Sequence, residues 1–149
     1  MNSREDAKGA KELDVEELSA IVVDAAFHIH KELGPGLLES VYETVLARAL
    51  EKRGLRVERQ KTVPFDYDGM HFDDGLRVDL MMNGKLVVEL KSVETISPVH
   101  PKQLLTYLRL LNLPLGLLIN FGAALFKDGV KRVVNKHQSF ASSRLRVNQ

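Results

Sequence analysis

No cysteine occurs anywhere in the 149 residues, so disulfide scaffolds, zinc–thiolate centres and cysteine nucleophiles are excluded at the outset. Long apolar runs are missing too. The most hydrophobic stretch, around Leu115 to Phe126, is too short and too interrupted to span a bilayer. The opening residues, Met1 to Lys11, are polar and lack the apolar segment of a secretory signal, so a cytoplasmic protein is the expectation. Nor is there an excess of one charge sign: 21 Lys and Arg stand against 20 Asp and Glu. That balance argues against a dedicated coat for nucleic acid, though not against an enzyme that holds its substrate briefly.

What is present belongs to an ordinary globular protein. The 44% hydrophobic and 28% charged residues are enough for one real core and one domain. Charge is sorted along the chain, with a net of −3 over the first twenty residues and +5 from Lys127 onward. The second segment contains Lys127, Lys131, Arg132, Lys136, Arg144 and Arg146. Such a basic end either holds phosphate backbones through counterion release or is a solvated tail that keeps the protein soluble.

The hydrophobic period predicts two helices first. Leu18, Ile21, Val22, Ala25, Ala26, Ile29 and Leu33 recur at helical spacing over Val15 to Leu33, and Gly34-Pro35-Gly36 stops them. A second helix from Leu37 to Arg53 carries Leu38, Val41, Tyr42, Val45, Leu46, Ala49 and Leu50. The period then changes. A strand through Val57, Val63, Phe65 and Tyr67 ends at Asp68-Gly69, another covers Leu76 to Met82 and ends at Asn83-Gly84, and a third runs from Lys85 to Val93. After Ser97-Pro98 come a helix over Val99 to Leu111, a strand over Leu115 to Phe121, and a strand over Phe126 to Val134 with a turn at Asp128-Gly129. The order αα-βββ-α-β-β makes an α/β fold with a mixed central sheet flanked by helices. A polar lead-in over 1–13, a single domain over 14–135 and a basic, mobile tail over 136–149 are expected.

The stretch from Arg77 to Lys91 carries chemistry. Asp79 lies on one strand and Glu89-Leu90-Lys91 on the next, across the Asn83-Gly84 hairpin, so Glu89 and Lys91 share a face and Asp79 can meet them. Two carboxylates beside an ammonium on an otherwise apolar strand are expensive to bury without compensation. A hard divalent cation compensates them, and so does an ordinary salt bridge on an exposed sheet face. Gln103 and Tyr107, four apart, project from one face of the following helix. Glu39 opens its helix, where the macrodipole favours negative charge, with Tyr42 one turn on. His30 and His100 are open to two readings each, packing or metal for His30 and an inert helix start or a phosphate contact for His100. Asn120 reads as structural, and Asp66, Asp68, Asp73 and Asp74 read as a solvated hairpin without calcium-loop spacing.

Gly36…Glu39…Tyr42, Arg77-Val78-Asp79-Leu80, Val88-Glu89-Leu90-Lys91, His100…Gln103…Tyr107 and Gly116-Leu117-Leu118-Ile119-Asn120-Phe121-Gly122 together resemble the GxxExxY family of the PD-(D/E)xK nuclease superfamily. The resemblance runs from about Ile21 to Val134 and implies a restriction-endonuclease-like core. It implies that Asp79, Glu89 and the Leu90 backbone carbonyl hold Mg²⁺ or Mn²⁺, and that Lys91 assists the attacking water. Glu39 would act through a water or a second ion, His30 as a further ligand, and Gln103, Tyr107 and His100 at the substrate. The superfamily's proline before the first aspartate is replaced by Val78. The implied activity is phosphodiester hydrolysis of nucleic acid, DNA first. A non-catalytic nucleic-acid- or protein-binding module that keeps the same fold is the alternative, and the small size leaves room for a homodimer. No base-reading motif is visible, so little sequence specificity is expected.

Overall fold

A computed structural model describes residues 12–136. The polar lead-in before Glu12 and the basic tail beyond Lys136 lie outside the described residues. Helix α1, Val15–Leu33, starts where Asp14 and Glu17 form a capping box: Asp14 accepts from the Glu17 N–H at 2.8 Å and Glu17 from the Asp14 N–H at 2.9 Å. Its stripe of Leu18, Val22, Ala25, Ala26 and Ile29 is buried. The helix stops at Gly34, and both Gly34 (φ 71°) and Gly36 (φ 112°) adopt backbone angles that suit glycine. Helix α2, Glu39–Lys52, follows at once. Tyr42, fully buried on it, donates its hydroxyl to the Gly34 carbonyl and accepts from the Leu37 N–H at 3.2 Å. Its ring lies flat on Phe121, with centroids 4.5 Å apart. One side chain thereby fixes the loop that delivers Glu39.

Five strands form one sheet: β1 Val57–Tyr67, β2 Met70–Met82, β3 Leu86–Lys91, β4 Leu115–Asn120 and β5 Val130–Val134, side by side in that order. All neighbours are antiparallel except β3 and β4, which run parallel and are joined over the sheet by α3, Val99–Leu111. Helices α1 and α2 cover one face through Leu18, Val22, Tyr42, Leu46, Leu86, Val88 and Leu90. Helix α3 covers the other through Leu104 and Leu108, packed with Val87, Leu118 and Val133. Among the described residues no helix is long and apolar enough to cross a membrane.

The mixed sheet with flanking helices is the expected architecture, and the ranges expected for α1 and α3 are those observed. Two expectations are corrected. Strand β2 begins at Met70, not Leu76, because the hairpin continues outward with Phe65 paired to Phe72. Phe126–Gly129 is a short helical turn, α4, and Asp128-Gly129 lies within it, so the last strand starts only at Val130. The apolar Phe126 belongs to the packing around α1, where it meets Phe27 and His30 edge-on or tilted.

Replacing Tyr42 with Phe keeps the ring stack but leaves the Gly34 carbonyl and Leu37 amide without their partner. The expected loss is about 1–2 kcal/mol of unfolding free energy, read from urea denaturation, with little change in denaturant slope.

Candidate active site

The ladder between β2 and β3 runs Met82↔Leu86, Met81↔Val87, Leu80↔Val88 and then stops. At the next position the strands part, and side chains take over from backbone. Glu89 Oε2 accepts from the Asp79 N–H and Asp79 Oδ2 accepts from the Leu90 N–H, each at 2.8 Å. The two amides that lose their ladder partners are thus satisfied by two carboxylates, which brings the carboxylates together. Because Val87 faces α3 and Leu86, Val88 and Leu90 face α1 and α2, alternation turns Glu89 and Lys91 toward α3.

The outer hairpin changes face at the same point. Leu80 and Met82 pack under α1 and α2, whereas Leu76 and Val78, of the same parity, pack under α3. In β1, Val57 likewise belongs to the first cluster and Val63 and Phe65 to the second. Arg59↔Leu80 and Lys61↔Val78 pair normally on either side, leaving Gln60 opposite Asp79. Gln60 absorbs the reversal with a left-handed φ of 48°. Its amide donates to Glu43 Oε1 at 2.6 Å and reaches Asp79 Oδ1 at 3.3 Å. Glu43, 7% exposed, also accepts from Arg59 Nε at 3.1 Å.

Electrostatics tie the remaining candidates to this point. Burial first, then the neighbouring Asp79, raises the Glu89 pKa to about 8, opposed by the Asp79 N–H bond and by Lys91, with Glu39 adding to the rise. Glu39, on the rim, is raised by partial desolvation; Lys91 opposes this, while Asp79 and Glu43 reinforce it. Tyr107 is raised by burial and then by Glu89 and Asp79, so its phenol stays protonated, and it accepts from Gln103 Nε2 at 3.2 Å. His100 is lowered by desolvation and then by Lys91, and its buried Nδ1 has no hydrogen-bond partner.

Glu39, Asp79, Glu89, Lys91, Tyr107 and His100 therefore sense one another, and Gln103 is bonded to Tyr107. His30 is engaged elsewhere. Its Nε2 meets the Ala123 carbonyl at 2.7 Å, which places the proton on that nitrogen and leaves Nδ1 as the atom through which a metal would have to be bound. Asn120 is structural, as expected: its amide bonds both N–H and C=O of Val93, at 3.0 and 2.8 Å. Glu43 and Gln60 escaped sequence reasoning. Glu43 sits four residues after Glu39 on the same helix face, a signal that was available. Gln60 gave none, since no turn residue marks a left-handed kink inside a strand.

A carboxyl whose pKa is raised on folding binds a proton in the native state that the unfolded chain has released. Stability is then full below the ordinary carboxylate range and falls as pH rises toward 8. In the presence of a chelator, unfolding free energy should decline between pH 5 and pH 8. Glu89→Gln, which keeps an oxygen for the Asp79 amide, should flatten most of that slope in urea titrations; an unchanged slope would remove Glu89 as its source.

Comparison with known proteins places the chain in a family. Residues 16–133 match the sequence model of a family described as the PD-(D/E)XK nuclease superfamily. No curated protein matches the chain. The mixed five-stranded sheet with helices on both faces is the restriction-endonuclease-like α/β arrangement. With the match covering most of the described chain and the fold in accord, the chain belongs to the PD-(D/E)XK nuclease superfamily.

Proposed function

We propose that the protein hydrolyses phosphodiester bonds of nucleic acid, DNA in the first instance, with Mg²⁺ or Mn²⁺ held by Asp79 and Glu89, and that it belongs to the GxxExxY branch. The observation that carries this reading is the exchange of carboxylates where β2 leaves β3, with Lys91 beside them.

The residues fit a hard cation. Each carboxylate gives one oxygen to a backbone amide, leaving Glu89 Oε1 and an Asp79 Oδ1 that meets only a long contact from Gln60. A buried carboxylate beside a second one favours a compensating charge. Among the described residues no three His, Asp or Glu side chains converge to enclose a metal on their own. The fit is thus to an ion that takes two carboxylates, a backbone carbonyl such as that of Leu90, and several waters, which is the habit of Mg²⁺. Such an ion would supply charge neutralisation at the phosphate and a nucleophilic water near neutral pH.

The chain's own groups do the rest. Lys91 presents fixed positive charge to the phosphate and orients the attacking water. Glu39 reaches in from the start of α2 to hold a water or a second ion. Tyr107, kept protonated, donates to substrate oxygen, and Gln103 holds its hydroxyl in position. His100, kept neutral beside Lys91, offers an imidazole to a phosphate oxygen.

Purified protein with Mg²⁺ or Mn²⁺ should degrade labelled DNA and lose that activity in chelator. Lys91→Ala should lower the rate by a factor on the order of 100 to 1000, the usual effect of deleting one charge-stabilising group, while leaving the thermal midpoint nearly unchanged. Failure of the wild type to cleave DNA or RNA with either metal would overturn the enzymatic reading in favour of the binding module.

A further inference from the structure

Strand register carries the site further across the sheet. Glu89 on β3 pairs with Leu118 on β4, and Leu118 pairs with Lys131 on β5. Residues in one such row point to the same face, and Leu118 and Val133 both pack against α3. Lys131 therefore shares the face of Glu89, two strands away, or about 10 Å at the usual strand spacing.

Beside it lies an open cavity of about 440 Å³ between the start of α3 and the α4–β5 junction. Ile96, Pro98 and Pro101 form its apolar wall, and Lys102, Lys131 and Asp128 its polar groups. Both lysines are exposed, and neither is in a salt bridge found among the described residues. The adjacent Arg132 behaves differently. It grips Glu16 with two bonds, at 3.1 and 3.0 Å, and is neutralised there. Two ammoniums against one carboxylate leave the cavity positive and suited to an anionic occupant. Leu118, between Glu89 and Lys131, is buried beneath α3, so a strand leaving the carboxylates reaches the cavity around the start of that helix.

We propose that Lys102 and Lys131 form a phosphate-binding subsite for the nucleic-acid strand, flanking the bond to be cut. The proposal rests on the nuclease reading for the direction of the strand, but not for the binding itself. The path around the helix start is longer than the straight line of about 10 Å, so the lysines hold the backbone a few nucleotides from the reacting phosphate. The contact is to phosphate oxygens, hence independent of sequence.

The test is fluorescence anisotropy with a labelled single-stranded DNA oligonucleotide in chelator, at a series of salt concentrations, alongside a cleavage assay with Mg²⁺ or Mn²⁺. Lys102→Gln and Lys131→Gln should each weaken binding and reduce the slope of log K against log salt by about 0.7 to 1. Lys52→Gln, at the exposed end of α2, should leave it unchanged. If the wild type cleaves, the paired variant should raise KM with little change in kcat. Binding that weakens as stated, without cleavage by the wild type, supports the subsite while the nuclease reading fails. Cleavage with a salt slope unaltered in the paired variant overturns the subsite while the nuclease reading stands. A folded wild type that binds no DNA overturns the subsite as well.

Discussion

Two strands that must separate leave amides that have to be satisfied, and the whole site follows from how this chain satisfies them. A buried amide without an acceptor is destabilising by about 1–3 kcal/mol, so β2 and β3 cannot simply part inside the protein. Asp79 and Glu89 supply the acceptors, each bonding across to the opposite strand. The same two bonds end the ladder and lock both carboxylates in orientation. They also gather negative charge into a desolvated place, which is what raises the Glu89 pKa and makes a cation a natural completion. Structural closure and chemical readiness are therefore one arrangement, not two.

That arrangement is braced from the outer hairpin. At the position where the carboxylates converge, the β1–β2 ribbon turns over, so its inner half packs beneath α1 and α2 and its outer half beneath α3. Gln60 carries the backbone strain of this turn-over. Its amide is then aimed at Glu43 and Asp79, linking α2 to the site. Tyr42 holds the other end of the connection by pinning the Gly34–Gly36 loop against Phe121. Helix α2 thus delivers Glu39 and Glu43 from one rigid face, and neither can drift without disturbing the core.

How legible this was depended on range. Period and punctuation gave α1 and α3 because the apolar repeat, Gly34-Pro35-Gly36 and Ser97-Pro98 are local signals. The Asn83-Gly84 turn gave the β2–β3 pairing, and with it the meeting of Asp79 and Glu89. The outer hairpin was read as too short because Met70–Gly75 is exposed and has no buried alternation to report. The turn at 126–129 was mistaken for strand because Phe126 is apolar for the sake of α1, not of a sheet. The bond from His30 to the Ala123 carbonyl leaves no trace in neighbouring residues, so the sequence does not supply it. Gln60 was invisible for the same reason: its role is set by a partner strand nineteen residues away.

Charge shows the same dependence on three-dimensional sorting. The near-neutral total hides two ends of one surface. At the hairpin tip Asp66 and Asp73 both bond His71, with Asp68 and Asp74 beside them, so negative charge gathers far from β5. At the other side of the sheet Lys131 and Lys102 face the cavity, while Arg132, the next residue, is withdrawn by Glu16. A β-strand sends neighbours to opposite faces, so a run that reads as uniformly basic is divided into one cation paired with α1 and one beside the cavity. The exposed cations on the Glu89 face toward β5 are those of the cavity, which is where the proposed phosphate contact falls.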